Sequence, residues 1–378
     1  MRCMNRRHRP NHRVVLLVAA ALIAFAGPAA AQSDPDAQPQ QTVSFGFDFF
    51  PYVGTSSALP DARREVSLNL VGGLSGGTDK AELGSVLNIN TGTMSGAQLA
   101  GAANWVTADV EGVQLAGSVN VSTGGLQGMQ GAGSANIVLG GVNGIQFGGA
   151  GNVVSDNVNG LQGAGALNVV VGEMNGIQAS GAANVVTQDM NGIQLGVFNV
   201  TAGDVSGVQL GIVNYARAST ASIGLLSIVP QGFTDIEVFT TVEGLALTGL
   251  RHGTERIYNV YYAGSLLTPS GADLAYGLGL GWRWHLGRAW EVNFDGTATQ
   301  VVVDGDFDTA NVLSKLRALG SYRFSPAIAV FAGPTFTLFW SEDVDGMFDY
   351  LELWSSSHGD GEYESSAWFG GTIGVRIL

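Results

Sequence analysis

Residues 144–159 read GIQFGGAGNVVSDNVN and residues 160–175 read GLQGAGALNVVVGEMN, two successive copies of the unit G-x-Q-x-x-G-x-x-N. The unit recurs every 16 residues from about Leu83 to Tyr215, and the last steps shorten to 15. Eight copies in phase indicate a structural repeat rather than a bias of composition. The repeated polar side chains are candidate structural ladders: Asn104, Asn120, Asn136, Asn152, Asn168 and Asn184, with Gln114, Gln130, Gln146, Gln162, Gln178 and Gln194.

The composition of this unit predicts a β-solenoid. Sixteen residues are too few for a pair of helices, and Gly, Val and Asn are poor helix formers. We expect each repeat to form one coil of two short strands, with like residues stacked in successive coils. The apolar residues after each asparagine, after each repeat glycine and six places past each asparagine are expected inside the coil, with the Asn and Gln ladders beside them.

Charged residues within the array are confined to one segment. No Lys or Arg lies between Lys80 and Arg217. This pattern predicts that the segment between each asparagine and the next glycine is a solvated turn, and that the remainder is buried or faces something neutral. Most of the acidic residues fall in that segment: Asp109, Glu111, Asp156, Glu173, Asp189 and Asp204.

A meander of transmembrane strands is the alternative reading of the array, because a strand of about ten residues plus a turn also fits the period. Two observations favour the solenoid. An antiparallel meander gives no reason for every strand to be the same. The repeats also carry too few aromatic residues for two interfacial girdles: Trp105, Phe147, Phe198 and Tyr215.

The N-terminus has the organisation of a secretory signal peptide over residues 1–31. Basic residues precede an apolar run from Val14 to Ala26, and three alanines end at Ala31. Residues 32–41 (QSDPDAQPQQ) are a predicted disordered linker, and residues 42–82 are predicted to hold strands that pair with the C-terminal domain. Cys3 is the only cysteine and would leave with the signal peptide.

Net charge restricts the class of partner. Removing the five arginines of residues 1–31 from the 17 basic residues leaves 12 against 31 acidic ones, a net charge of −19. Such a charge argues against binding nucleic acid or anionic lipid through bulk electrostatics. A signal peptide followed by a Gly-rich acidic β chain without an apolar helix predicts export to the outer membrane or the cell surface.

The sequence pattern changes after Tyr215, where the repeat ends and aromatic residues become frequent. Residues 216–378 are predicted to form an antiparallel β-barrel or sheet. Together with the N-terminal strands the count would reach eight or nine, enough to close a small barrel. A soluble β-sandwich is the alternative. The predicted strands are 235–248, 257–267, 272–286, 289–303, 311–324, 327–340 and 366–378.

The array and its flanks resemble the bacterial surface repeat-containing family first recognised in leptospires. The resembling flanks are SLNLVGGLSGG (67–77), IGLLSIVPQGFTDIEV (223–238) and YNVYYAG (258–264). The resemblance covers most of the chain after the signal peptide. It implies a surface or outer-membrane β protein without an established activity, and it supplies no catalytic residues.

Enzymatic chemistry is poorly supported by the residues present. After the signal peptide, His252, His285 and His358 lack metal-ligand spacing, and no thiol occurs. No cofactor is expected except calcium. The stretch SEDVDGMFDYLE (341–352) spaces Asp343, Asp345, Asp349 and Glu352 like a calcium loop. A solvated acidic loop is the alternative, because the first ligand position holds a serine and the preceding stretch reads as strand.

These observations favour a non-enzymatic outer-membrane or cell-surface repeat protein with a structural or adhesive role. Its expected partners are the outer membrane and a surface or matrix protein or glycan, and not nucleic acid. A small outer-membrane channel, with the repeat lining or plugging the pore, is the alternative function.

Overall fold

A computed structural model describes residues 40–268, 271–342, 348, 351–358 and 363–378. The predicted signal peptide and nearly all of the predicted linker lie outside these residues. The chain is about 74% strand and consists of a β-solenoid of about 10 turns and a separate antiparallel sheet. It divides into two compact units, residues 1–160 with 170–172, and residues 161–169 with 173–378.

The first unit is built from coil strands and one short helix. In chain order these are β1 (Thr42–Phe50), β2 (Val53–Gly54), α1 (Thr55–Ala58), β3 (Arg63–Asn69), β4 (Gly72–Ser75), β5 (Gly77–Gly84), β6 (Leu87–Asn90), β7 (Met94–Ala100), β8 (Ala103–Val106), β9 (Val110–Ala116), β10 (Val119–Ser122), β11 (Leu126–Ala132), β12 (Ala135–Val138), β13 (Val142–Gly148), β14 (Gly151–Val154) and the start of β15 (Val158–Ala164).

The second unit begins with further coil strands. These are β16 (Leu167–Val170), β17 (Met174–Ser180), β18 (Ala183–Val186), β19 (Met190–Leu195), β20 (Phe198–Leu210), β21 (Val213–Ile223) and β22 (Leu226–Ile228).

Each coil consists of one long and one short strand, and both pair in parallel with their equivalents in the next coil. Between β9 and β11 the register places Val110 opposite Leu126 and Gln114 opposite Gln130, one repeat apart. The predicted solenoid is therefore confirmed. The alternative of an antiparallel meander is wrong, because the ladders of the array are parallel.

The predicted interior of the coil is wrong for two of the three apolar columns. The column six places past each asparagine is buried, as in Val110 and Val142. The columns that follow the repeat asparagine and the repeat glycine point outward, as in Trp105 and Val113. The reason is the two-residue period of a strand. Because Asn104 and Gln114 point inward, the residue after Asn104 and the residue before Gln114 must point outward.

The strands of residues 42–82 also differ from expectation. They were predicted to pair with the C-terminal domain, but β1 pairs in parallel with β3, β3 with β5, and β5 with β7. Glu82 takes the place of the repeat glutamine, opposite Gln98. The first coils are therefore solenoid coils whose sequence departs from the repeat, which is why the period alone did not reveal them.

Glu82 is completely buried at the start of the glutamine column. Its carboxylate accepts hydrogen bonds from Gln98 Nε2 at 2.8 Å, Asn69 Nδ2 at 2.8 Å and Thr78 Oγ1 at 3.1 Å. Burial raises the pKa of Glu82 above its ordinary value of 4.5, and these hydrogen bonds oppose the rise. Relative to the unfolded chain, folding therefore shifts the Glu82 equilibrium toward the protonated carboxyl.

We expect Glu82→Gln to weaken the pH dependence of solenoid stability. A raised pKa in the folded state gives a stability contribution that is complete below pH 4.5 and is lost as pH rises through the folded-state pKa. Thermal unfolding of the chain without residues 1–31 at about pH 5 and about pH 8 measures this difference. Glu111→Gln, at an exposed acid in a nearby coil, should leave the wild-type pH dependence unchanged. An unchanged pH dependence in Glu82→Gln would contradict the assignment.

The separate sheet of the second unit is antiparallel, which confirms the prediction for the C-terminal region. Its strands are β23 (Phe233–Thr241), β24 (Leu245–Gly253), β25 (Ile257–Thr268), β26 (Gly271–Leu286), β27 (Trp290–Val302), β28 (Asn311–Ser325), β29 (Ile328–Ser341), β30 (Trp354–His358) and β31 (Tyr363–Ile377), with a 3-10 helix at Val303–Gly305.

The sheet closes on itself, because β23 pairs with both β24 and β31. Strands β23–β29 and β31 form a closed barrel, and β30 pairs with the start of β31. The eighth strand does not come from residues 42–82. It arises because the predicted strand 235–248 is broken at residues 242–244, where Gly244 has a φ of 89°. Closure of one sheet also rules out the β-sandwich. None of the described helices is long and apolar enough to cross a membrane.

Candidate functional site

The repeat asparagines form hydrogen-bonded ladders inside the coils. Asn104 Nδ2 donates to Asn120 Oδ1 at 2.9 Å, and Asn120 Nδ2 donates to Asn136 Oδ1 at 2.9 Å. In the second unit, Asn168 donates to Asn184 at 3.0 Å. All these side chains are inaccessible to solvent. The first unit's ladder is Asn69, Asn88, Asn104, Asn120, Asn136 and Asn152, and the second unit's ladder is Asn168, Asn184, Asn199 and Asn214.

Each asparagine also holds the turn that ends the long strand. Asn104 Nδ2 donates to the Leu115 carbonyl at 2.7 Å, and Asn184 Nδ2 donates to the Leu195 carbonyl at 2.7 Å. One amide group therefore links neighbouring coils and donates to a backbone carbonyl near the end of the long strand. This double role explains why the repeat requires asparagine at this position.

The glutamines form a second internal ladder. Gln114 Nε2 donates to Gln98 Oε1 at 2.8 Å, and Gln194 Nε2 donates to Gln178 Oε1 at 2.9 Å. The ladder ends at Ser222, whose hydroxyl donates to Gln209 Oε1 at 3.0 Å. Its members are Glu82, Gln98, Gln114, Gln130 and Gln146 in the first unit, and Gln162, Gln178, Gln194, Gln209 and Ser222 in the second.

The interior of the barrel is filled by charged side chains. Glu237 lies 3.2 Å from Arg376 and 3.6 Å from Arg317, and Arg317 lies 2.7 Å from Asp295. At the next level Lys315 Nζ lies 2.8 Å from Glu243. The interior network consists of Arg251, Arg283, Lys315, Arg317 and Arg376 with Asp235, Glu237, Glu243, Glu291 and Asp295, none of them more than 9% exposed.

Aromatic rings fill the remaining space of the lumen. The guanidinium of Arg376 lies 4.4 Å from the centre of the Phe331 ring, and that of Arg251 lies 4.1 Å from the Tyr258 ring. Phe239, Phe339 and Trp368 join an apolar cluster inside the barrel. Rings and ion pairs together exclude water from these lumen-facing side chains.

The outer wall of the barrel is apolar, the reverse of a water-soluble protein. Strand β31 shows the alternation clearly, since Ile373 is 60% exposed while Arg376 is 1% exposed. The exposed apolar side chains of the wall include Ile236, Val238, Leu250, Leu274, Leu278, Leu280, Phe294, Leu316, Leu338, Phe369, Ile373 and Val375.

Aromatic side chains lie near both ends of the barrel. Trp282, Trp284 and Trp290 flank the β26–β27 turn, and Trp290 contacts Tyr322 with ring centres 4.9 Å apart. At the opposite end the rings of Trp340 and Tyr363 stack at 5.5 Å.

The two ends of the barrel also differ in their connections. Residues 254–256, 287–289 and 326–327 are short links at the end where β23 begins and β31 finishes. The opposite end carries two longer connections, 303–310 and 342–353, beside the short link 242–244 and the two-residue interval between β25 and β26. The chain passes from the solenoid into the barrel at the end that has only short links.

The predicted calcium loop lies largely outside the described residues, because Asp343, Asp345 and Asp349 are not among them. Glu352 is described and is partly exposed. Among the described residues, no group of three or more His, Asp, Glu or Cys side chains could hold a metal ion. His252 lies 2.8 Å from the Thr234 hydroxyl, and His285 lies 3.5 Å from Glu291, in separate parts of the barrel.

No family model, curated protein or solved structure matches the chain.

The ion-pair network of the barrel was not predicted from the sequence. The available signal was a charged residue at alternate positions of strands that are otherwise apolar, as at Glu291 and Asp295 in β27 and at Lys315 and Arg317 in β28. An alternation of this kind places charge on one face of a strand. It does not show which face is the inside of a closed sheet.

Proposed function

We propose that this chain is a non-enzymatic outer-membrane protein whose barrel anchors the repeat domain in the bilayer for a structural or adhesive role. The observation that carries the proposal is the reversed polarity of the barrel, with buried ion pairs inside and apolar side chains outside. Lipid offers no hydrogen bonds, so a spanning sheet must close on itself and expose apolar side chains. Aromatic residues at both ends of the barrel support the same reading.

The lengths of the connections at the two ends of the barrel indicate its orientation in the membrane. Outer-membrane barrels have short periplasmic turns and longer outer loops. On this rule the barrel end that has only short links faces the periplasm. The solenoid is then attached on the periplasmic side. This orientation favours a structural role at the inner face of the membrane over adhesion outside the cell. The resemblance to surface repeat-containing proteins agrees with a role in the cell envelope.

A channel is the second candidate, because charged side chains line the barrel. The burial of these side chains weighs against it: Glu237 and Arg251 are inaccessible to solvent, whereas a water-filled pore would leave them accessible. Conductance of the barrel in a planar bilayer tests this candidate. Steady single-channel currents would favour the channel, and their absence would favour the anchor.

We expect Ile373→Arg to hinder folding of the barrel into lipid vesicles. An arginine on the lipid face costs about 2–4 kcal/mol at the bilayer midplane and about 0–1 kcal/mol near the interface. Ile377→Arg is the matched control, because Ile377 is also exposed but stands at the end of the same strand. Urea titration of the vesicle-folded chain measures the free energy of unfolding of both variants. Equal small effects, within about 0.5 kcal/mol, would mean that the wall faces water.

A difference in gel mobility before and after boiling tests the barrel in cells. The full chain, expressed with its own N-terminal segment, should be recovered in isolated outer membranes and should shift in mobility on boiling. Recovery as a soluble protein without such a shift would overturn the proposal.

A further inference from the structure

The outer surface of the coils changes from charged to apolar across each coil. At one rim, here called the acidic rim, lie Asp109, Asp156, Asp189 and Asp204. The opposite rim, here called the neutral rim, consists of Gly-Ala and Gly-Ser pairs such as 101–102 and 117–118. Between the rims, the long strands expose first a row of mostly amide side chains and then a row of apolar ones. The amide row includes Gln127, Asn143, Asn159, Asn175 and Asn191, and the apolar row includes Val113, Met129, Ile145, Leu161, Ile177 and Ile193.

The short strands expose an apolar row on the other face of the coil. Their outward side chain is aromatic or branched apolar, and Trp105 is 38% exposed. The corresponding residues are Trp105, Val121, Ile137, Val153, Val185, Val200 and Tyr215. Both broad faces of the coils therefore expose a row of apolar side chains, while the amide ladders are buried. A solenoid that works in water would be expected to show the opposite arrangement.

Backbone amides of the neutral rim are hydrogen-bonded between coils, which lowers the cost of bringing this rim into contact with hydrocarbon. In the first unit the amide of Ala102 donates to the Val86 carbonyl at 3.0 Å, and the amide of Gly117 donates to the Ala100 carbonyl at 3.1 Å. In the second unit the amide of Ala182 donates to the Ala166 carbonyl at 3.2 Å. The asparagine ladder satisfies the carbonyl that precedes the turn, as at Leu115 and Leu195. Hydrogen bonding of backbone groups within the protein is the condition for backbone to enter lipid.

Within the second unit, the last coils pack against the apolar wall of the barrel. A cavity of about 700 Å³ is lined on one side by Leu210, Ile212 and Leu225, and on the other by wall residues such as Leu278 and Leu338. Two polar side chains of β25 fix this contact. Asn259 Nδ2 donates to the Gly224 carbonyl at 2.7 Å, and the Tyr261 hydroxyl donates to the Leu225 carbonyl at 2.6 Å. The apolar surface of these coils is thus continuous with the apolar wall of the barrel.

We infer that the solenoid is itself a lipid-binding surface. Its apolar faces and neutral rim enter the acyl chains of the bilayer, and its acidic rim stays in water. The inference rests on the proposed membrane insertion of the barrel, because the last coils share the barrel's apolar wall. The gradient from acid through amide to apolar side chains is the profile of an element that lies in the membrane interface. The driving force is apolar burial, so the net negative charge of the chain does not oppose it.

Site-directed fluorescence in vesicles tests the inference, and the lack of cysteine after the signal peptide makes single labelling possible. Ile145→Cys and Ile177→Cys report on the apolar row, and Gln188→Cys, which is exposed beside Asp189, reports on the acidic rim. Val238→Cys reports on the barrel wall. Each variant of the mature chain is labelled with NBD, a polarity-sensitive dye, and folded into phosphatidylcholine vesicles. Spin-labelled phosphatidylcholine and aqueous iodide then serve as alternative quenchers.

We expect the lipid-borne quencher to remove most of the emission at Ile145 and Ile177 and iodide to remove little, with the reverse at Gln188. Iodide quenching at Ile145 and Ile177 would overturn the inference. Shielding of both positions from both quenchers would also overturn it, because a second copy or another protein would then cover the faces. The Val238 probe separates the two proposals. If it is quenched from the lipid while the solenoid probes are not, the barrel anchor stands and the lipid-binding solenoid fails. If it is not quenched from the lipid, the barrel anchor itself fails.

Discussion

Gly128→Ala should disrupt the solenoid locally and cost about 4 kcal/mol or more, the sum of backbone strain and a clash that nothing nearby can relieve. Gly128 has a φ of 136°, which side chains other than glycine rarely adopt. A Cβ atom there would lie 2.0 Å from the carbonyl oxygen of Gly112 in the preceding coil. That oxygen belongs to the parallel ladder, so it can move only if the inter-coil hydrogen bonds break.

A positive φ recurs at every repeat glycine, and it explains why the repeat requires glycine two places before each glutamine. Gly131→Ala is the matched control, because its register partners are Leu115 and Phe147 and the only nearby atom is the flexible end of Leu115. We expect the control to change stability by no more than about 0.5 kcal/mol. Limited proteolysis of the folded chain should show new cleavage in the coils around residues 112–144 in Gly128→Ala only. Equal resistance of both variants would contradict the argument.

Glu237→Ala should destabilise the barrel by about 3–5 kcal/mol, because it leaves buried cations without their counter-ion. Glu237 is inaccessible to solvent and lies 3.2 Å from Arg376 and 3.6 Å from Arg317. Arg317 keeps Asp295 at 2.7 Å and Arg376 keeps Glu291 at 3.3 Å, so the network is weakened rather than removed. The midpoint of thermal unfolding in detergent micelles, read from the mobility shift on boiling, measures the loss.

Two further variants separate charge from packing at this site. Glu237→Gln keeps the size and one acceptor for Arg376 but removes the charge, so its effect should fall between those of wild type and Glu237→Ala. Glu255→Ala removes an exposed carboxylate from the link 254–256 and should leave the midpoint nearly unchanged. If Glu237→Ala behaves like Glu255→Ala, the interior ion pairs do not stabilise the barrel.

The sequence predicted the fold correctly wherever the spacing of residues along the chain sets the spacing of coils or the alternation of a strand. The spacing of Asn104, Asn120 and Asn136 predicted one coil per repeat, because parallel stacking of identical units places identical residues in register. It failed at residues 42–82, where Glu82 replaces the repeat glutamine and the glycine pattern is lost. The barrel strands were found through their alternation. The break at residues 242–244 contains Glu243 and Gly244, but it was missed because the segments on either side read together as one long strand.

By itself the sequence determined the coil length, the columns of like residues, the ladders as candidates and the antiparallel C-terminal region. Each of these follows from contacts between neighbouring segments or from the two-residue period of a strand. Only the tertiary structure decided which side of each strand faces inward. In the coils, inward Asn104 and Gln114 turn Trp105 and Val113 outward. In the barrel, the inside exists only after β23 pairs with β31, which brings Glu237 to Arg376 across 139 residues. Both segments alternate in polarity, but their sequence does not specify which side of the closed sheet will be polar.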